Sequence, residues 1–335
     1  MVEIKNLTKL YGSHRAVDDL TITVEEGQIY GFLGPNGAGK STTMNIMTGC
    51  LAATSGSVRI NGYDILTQPK EAKKCIGYLP EQPPLYMDMT PREYLTFACG
   101  LKGIRGARVR EEIEKVARMT QIEDHLDRLI KHLSKGYKQR VGIAQAVLGD
   151  PKLIILDEPT VGLDPKQITE IRELIRELGR GHTVILSSHI LSEISSVCDK
   201  IMILRKGRLV ACDTPEGLSR AMLGETTLSL TVDPCGKKLS SLSQIKGVTG
   251  FDQKPSASDS GCVDLTITYS PEKDLRRDVS QAVSGLGGVI LAMREVRLSL
   301  EDVFLELTDP GETGGDAAAD GAEAAPSGDK TSEKA

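Results

Sequence analysis

The segment Gly34-Pro35-Asn36-Gly37-Ala38-Gly39-Lys40-Ser41-Thr42 constrains this chain more than any other stretch. It fits the pattern G-x-x-x-x-G-K-[ST] of a phosphate-binding loop. The apolar run 28–33 leads into it and reads as a buried strand, and a helical pattern over 42–47 leads out. Strand, glycine-rich loop and helix are the context this motif needs. Glycines let successive backbone N–H groups turn inward, and the next helix adds the positive end of its dipole. In such a loop Lys40 reaches the β- and γ-phosphates of a nucleotide and the Ser41 hydroxyl ligates Mg²⁺.

A second motif supplies the acid that such a loop requires. Leu153-Ile154-Ile155-Leu156 is an apolar run ending in Asp157-Glu158. Asp157 fits the Mg²⁺-holding carboxylate. Glu158, one residue on, is placed to orient or deprotonate an attacking water.

Strand patterns over 153–156 and 183–186 alternate with a helical face at Ile168, Ile171, Leu174, Ile175 and Leu178. This alternation predicts an α/β domain: a P-loop cassette with a mixed, largely parallel sheet, over residues 1–221. Short strands are expected near 2–4, 20–24 and 58–60, with a turn at Asn61-Gly62. The span of about 84–149 reads as a helical subdomain, with Val109, Ile113 and Val116 at helical spacing. A hairpin is expected at Lys206-Gly207 and a helix start at 214–216.

The character changes near residue 222. Alternating stretches at 227–232 and 263–268, with a helical face at Leu275, Val279, Val283 and Leu286, predict a small α+β accessory domain over 222–308. Its last element is a short helix near 301–307, preceded by a capping box at Ser299 to Asp302. From 309 to 335 the chain is Gly, Ala, Asp, Glu and Ser, with almost nothing to bury, and is expected to be disordered.

Composition narrows the function classes. A net charge of −5 disfavours a protein that binds nucleic acid by neutralising phosphates. No apolar run approaches a membrane span, and the N-terminal residues carry no apolar signal region. Seven cysteines without a C-x-x-C pair read as reduced thiols. The expected location is cytoplasmic.

The segment Leu133-Ser134-Lys135-Gly136-Tyr137-Lys138-Gln139-Arg140, lying shortly before Asp157, brings a family into view. It resembles the signature segment of ATP-binding cassette (ABC) ATPases, and its order among the motifs is theirs. Gln82 resembles the Q-loop glutamine. Gly162-Leu163-Asp164-Pro165 resembles the D-loop, and His189 the switch histidine. Tyr11 resembles the aromatic that stacks on adenine, with Val17 as a further apolar contact. The resemblance covers about residues 1–220. It implies ATP and Mg²⁺ as cofactors, with Glu158, His189 and Gln82 catalytic and Ser41, Gln82 and Asp157 near the metal.

The same resemblance implies head-to-tail pairing of two ATPase subunits. Ser134, Gly136 and Asp164 of one then complete the site of the other, and the pair drives a separate membrane permease. The family's common signature is Leu-Ser-Gly-Gly-Gln; here Lys135 and Tyr137 replace the first Gly and the Gln. A basic version of this segment, and a terminal helix like 301–307, resemble an exporter branch. The stretch 85–89, rich in Tyr and Met, is expected either to dock the permease or to serve as subdomain core. Two other readings remain: an ABC ATPase acting on ribosomes or DNA, and a nucleotide-dependent regulator. The acidic balance and the single cassette weigh against the first, and Glu158 with His189 against the second.

Overall fold

The computed structural model describes residues 1–222, 226–237, 239–256, 261–269 and 274–296. The helix expected near 301–307 and the tail from 309 lie outside the described residues. The chain opens with β1 (Val2–Tyr11), β2 (His14–Val24) and β3 (Ile29–Leu33), and the glycine-rich loop leads to α1 (Lys40–Met47). There follow β4 (Ser55–Ile60), β5 (Tyr63–Asp64), α2 (Pro69–Lys74) and β6 (Ile76–Leu79). Three longer helices come next: α3 (Pro91–Leu101), α4 (Ala107–Thr120) and α5 (Lys135–Val147). Then β7 (Leu153–Leu156), α6 (Pro165–Gly179), β8 (Thr183–Ser188), α7 (Leu191–Ser195), β9 (Lys200–Arg205), β10 (Arg208–Asp213) and α8 (Pro215–Met222) complete the cassette. The remaining described elements are β11 (Thr226–Asp233), β12 (Val248–Pro255), β13 (Val263–Tyr269), α9 (Arg276–Gly285) and β14 (Val289–Val296).

The central sheet has the order β10-β9-β3-β8-β7-β6, parallel throughout except for the β9–β10 hairpin. Its inner strands β3, β7 and β8 are buried on both faces, and their period of two divides the side chains between two cores. Tyr30, Phe32, Leu153, Ile155 and Ile185 point to one face, where the antiparallel sheet β2-β1-β4-β5 and α1 pack. Ile29, Leu33, Ile154, Leu156, Val184 and Leu186 point to the other, among residues of α3 to α7. Gly31 sits mid-strand because a Cβ there would lie 2.4 Å from Ile194 Cγ2. Its bare backbone lets α7 lie close on β3.

This layering decides where chemistry can occur. The glycine-rich loop follows β3, Glu81 follows β6, Asp157 and Glu158 follow β7, and His189 follows β8. All leave the carboxyl ends of parallel strands, the edge at which α/β sheets bind ligands.

The helical subdomain has clear local causes. Thr90 caps α3 in a capping box, with its backbone N–H donating to Glu93 Oε2 at 2.8 Å. Ile113, Val116, Ala117 and Thr120 form the buried stripe of α4. The stretch 85–89 divides: Leu85 and Met89 pack on the core, while Tyr86 and Met87 are exposed. Tyr86 meets Phe97 edge-on with ring centroids 5.6 Å apart, and Phe97 is also exposed.

Beyond α8, the antiparallel sheet β12-β13-β11-β14 packs α9 through Val279 and Val283. The sequence pattern predicts neither β12 nor β14: Gly250 and Asp252 interrupt the first, and the second opens with the continuous apolar run 289–293, which shows no alternation. No described helix is long and apolar enough to cross a membrane.

Candidate functional site

A cavity of about 250 Å³ opens at the carboxyl edge of the central sheet. Its walls are the loop 36–42 together with Glu81, Glu158, Val161 and His189. The loop is braced from behind. Gly39 has φ +101°, and a Cβ there would lie 2.6 Å from the Ala16 carbonyl, so only glycine fits. The Gly207 N–H donates to the Ala38 carbonyl at 3.0 Å, and the Asp18 N–H donates to the Gly207 carbonyl at 2.9 Å. The Asp18 carboxylate accepts from Arg15 and Arg208, which hold its pKa below the usual range. The β9–β10 turn and β2 thus form the backing of the loop.

Lys40 is the first residue of α1 and is buried. Its Nζ donates to the Gly34 carbonyl at 2.7 Å and the Pro35 carbonyl at 3.3 Å, and lies 3.7 Å from Glu158 Oε1. Burial pushes its pKa down, opposed by the charges of Glu158, Asp157 and Glu81. An ammonium held by carbonyls and carboxylates, with little water, has much to gain from a phosphate.

Ser41 Oγ donates to Asp157 Oδ1 at 3.2 Å. A hydroxyl and a carboxylate oxygen facing each other suit a hard cation that keeps most of its shell for phosphates and water. Ser187 completes the arrangement: its hydroxyl donates to Asp157 Oδ1 at 2.6 Å and accepts from the Glu158 N–H at 2.8 Å. Ser187 belongs to no sequence motif; parallel pairing of β7 and β8 brings it there.

Glu158 has φ +47°, a conformation that costs a non-glycine residue about 1–3 kcal/mol. The turn aims its carboxylate into the cavity, where Oε2 lies 3.1 Å from His189 Nδ1. The loop 36–42, the Ser41–Asp157 pair, Glu158 and His189 therefore lie together.

Other expected residues lie elsewhere. Gln82 is exposed and does not line the cavity; Glu81 does. The chain leaves β6 at Leu79, and after Pro80 it is residue 81 that turns inward. Val17 is fully buried in the core between the two sheets, so it is closed to a nucleobase. Tyr11 stands exposed at the tip of the β1–β2 hairpin, opposite His14, outside the cavity lining. Val161, to which the sequence pointed in no way, does line it.

Ser134, Gly136 and Asp164 also lie outside the cavity lining. Ser134 caps α5 and accepts from the Tyr137 N–H; Asp164 caps α6 and accepts from the Gln167 N–H at 2.9 Å. The two caps are neighbours. A Cβ on Gly136 would lie 2.7 Å from the Gln167 side chain, and one on Gly162 would lie 2.1 Å from Lys135 Nζ.

The ABC transporter family pattern matches residues 17–161. The chain is 42% identical over 212 residues to the bacitracin transport ATP-binding protein BcrA of Bacillus licheniformis, covering 63% of this chain and 68% of that one. It is 33% identical over 313 residues to the linearmycin resistance ATP-binding protein LnrL of Bacillus subtilis, covering 92% and 98%. That second match extends well beyond the cassette. A solved dimeric ATP-binding cassette in a post-hydrolysis state, bound to ADP and Pi, is similar at a TM-score of 0.58 and 29% identity, covering 64% and 98%.

Proposed function

The chain belongs to the ABC transporter family, as an ATP-binding and ATP-hydrolysing subunit, and from that premise we propose that it powers an exporter through a two-subunit ATP clamp. The observation that carries this reading is the division of its motifs. Lys40, Ser41, Glu158 and His189 line one cavity, with Asp157 joined to it through Ser41, while Ser134, Gly136 and Asp164 lie outside that lining. A lone cavity leaves the γ-phosphate half exposed. A second subunit docked head to tail would bring its Ser134 hydroxyl and Gly136 N–H to that phosphate and exclude water.

Within the clamp, Lys40 holds the β- and γ-phosphates. Ser41 and Asp157 hold Mg²⁺, which offsets the phosphate charge. The Glu158 carboxylate takes the proton of the attacking water. His189, in contact with Glu158 through Nδ1, presents its other ring nitrogen to the γ-phosphate. Tyr11, exposed on its hairpin, offers a face for the adenine to stack upon. Glu81 takes the cavity position expected for Gln82. ATP joins the two subunits and hydrolysis releases them, a ligand-biased two-state equilibrium.

The work is delivered to a membrane permease, on whose cytoplasmic side this subunit sits. The exposed cluster of Tyr86, Met87 and Phe97 on the helical subdomain is the docking face. Similarity to bacitracin transport and linearmycin resistance proteins favours export. The experiment is affinity purification of the tagged full chain from native membranes in mild detergent. A multi-spanning membrane protein should co-purify with the wild type and be lost with Tyr86→Asp plus Met87→Asp, while ATP binding persists. Undiminished recovery of the permease with that variant refutes the docking face. Recovery of ribosomes or DNA-associated proteins instead refutes the transporter reading.

A further inference from the structure

Glu193 is 7% exposed and lies behind the cavity rather than in its wall. It sits in α7, and its carboxylate ties together three segments. Oε2 accepts from Thr160 Oγ1 at 2.5 Å and from Ser188 Oγ at 3.1 Å. Ser188 Oγ in turn accepts from the Ile190 N–H at 3.0 Å, which fixes the chain on the far side of His189. Oε1 faces an Arg172 terminal nitrogen at 4.0 Å, and Arg172 Nε is buried without a hydrogen-bond partner among the described residues. Arg172 belongs to α6, the helix capped by Asp164.

The connectivity has a consequence. Thr160 lies two residues after Glu158, and Ser188 immediately precedes His189. Besides the bonds of Ser187 with Asp157 and with the Glu158 N–H, the two turns therefore meet twice more. One meeting faces the cavity, where Glu158 touches His189 at 3.1 Å. The other lies behind it, where Glu193 bridges Thr160 and Ser188. A buried carboxylate contributes little net stability, because desolvation offsets much of its attraction. Fixed geometry is what it supplies.

We infer that Glu193 is a positioning residue for hydrolysis, clamping the turns that carry Glu158 and His189 so that the two side chains stay in contact. The inference rests on the reading of Glu158 and His189 as the working pair. Loss of the clamp misplaces both without removing either, so it affects turnover and spares ATP binding. Arg172 adds a charge that keeps the carboxylate pointed at the two hydroxyls. Through Arg172 the clamp also reaches the helix that begins at Asp164.

The test is a double-mutant cycle in the full chain, with steady-state phosphate release and ATP Kd as separate readouts. Glu193→Ala should lower kcat by about 10–100-fold, the scale of an ångström-level misplacement. Its ATP Kd should stay within about twofold, since no phosphate-binding group is disturbed. In a His189→Ala background the same change should cost severalfold less than in the wild type, because one of the two positioned groups is gone and only Glu158 is left to misplace. Glu193→Gln, which keeps one acceptor oxygen for the hydroxyls, should fall between wild type and Glu193→Ala, and it carries the cycle if the alanine variant does not fold. Equal losses in both backgrounds, or an ATP Kd that rises in step with the loss of kcat, would overturn the inference. Wild-type turnover by both Glu193 variants, while His189→Ala is slow, would also overturn it. Wild-type turnover by His189→Ala would instead remove its premise.

Discussion

Replacing Glu158 with Gln removes one negative charge from the cavity wall and leaves the wall's shape intact. Two consequences of opposite sign follow. The carboxylate lies 3.7 Å from Lys40 Nζ, and both side chains are less than 10% exposed. At an effective dielectric near 20 their gross attraction is about 4 kcal/mol. Lys40 keeps its bonds to the Gly34 and Pro35 carbonyls in the variant, and its ammonium loses its competitor for phosphate. Repulsion between Glu158 and the γ-phosphate also disappears. ATP affinity should therefore hold or rise. Turnover should fall by about 10²–10⁴-fold, or about 3–5 kcal/mol of barrier, because an amide cannot take the proton of water. The assay pairs steady-state phosphate release with equilibrium titration of a fluorescent ATP analogue, and thermal melting reports on the fold. Damage to the fold would lower binding and turnover together; the charge argument requires them to separate. Phosphate release within about tenfold of wild type would refute Glu158 as the base. Weakened ATP binding at an unchanged melting temperature would refute the account of Lys40.

Lys40→Ala deletes the buried ammonium itself. A hydrogen bond to a charged group contributes about 1.5–3 kcal/mol, so ATP should bind about 10–100-fold more weakly by calorimetric titration. Unchanged affinity would refute the phosphate-binding role. Far from the cavity, Lys102 donates to the Ala146 and Leu148 carbonyls at the end of α5, and burial lowers its pKa from 10.5 to about 8. Between those values the unfolded chain holds a proton that the folded chain lacks, so this residue's contribution to stability rises with pH. Relative to Lys102→Met, the wild type should gain stability between about pH 7.5 and 9.5 in denaturant unfolding; Lys102 is itself exposed, so solvent screens the effect and the gain stays below about 1 kcal/mol. A pH-independent difference would refute the desolvated ammonium.

The short apolar runs, the glycine-rich loop and the carboxylates after Leu156 were legible in sequence because each is local. Strand, turn and acid lie within a few consecutive residues, and local steric and polar rules act at that range. Hence β3, β7 and β8, the loop 34–42 and the placement of Asp157 and Glu158 could be read directly. What depends on packing could not. Whether residue 81 or 82 turns inward after β6 is decided by how that strand seats beside β7, and Glu81 faces the cavity. Val17 looks like any exposed-edge valine in sequence, yet it lies in the core between its own antiparallel sheet and the central one. Ser187, Val161 and Glu193 carry no motif. They matter only because parallel β7 and β8 place their carboxyl ends side by side, so that residues some 30 positions apart share hydrogen bonds. The sequence alone determined which chemical groups the chain owns and which strands bear them. The tertiary structure decided which of those groups meet, because the distances that permit chemistry are set by sheet order and by the packing of two cores on either face.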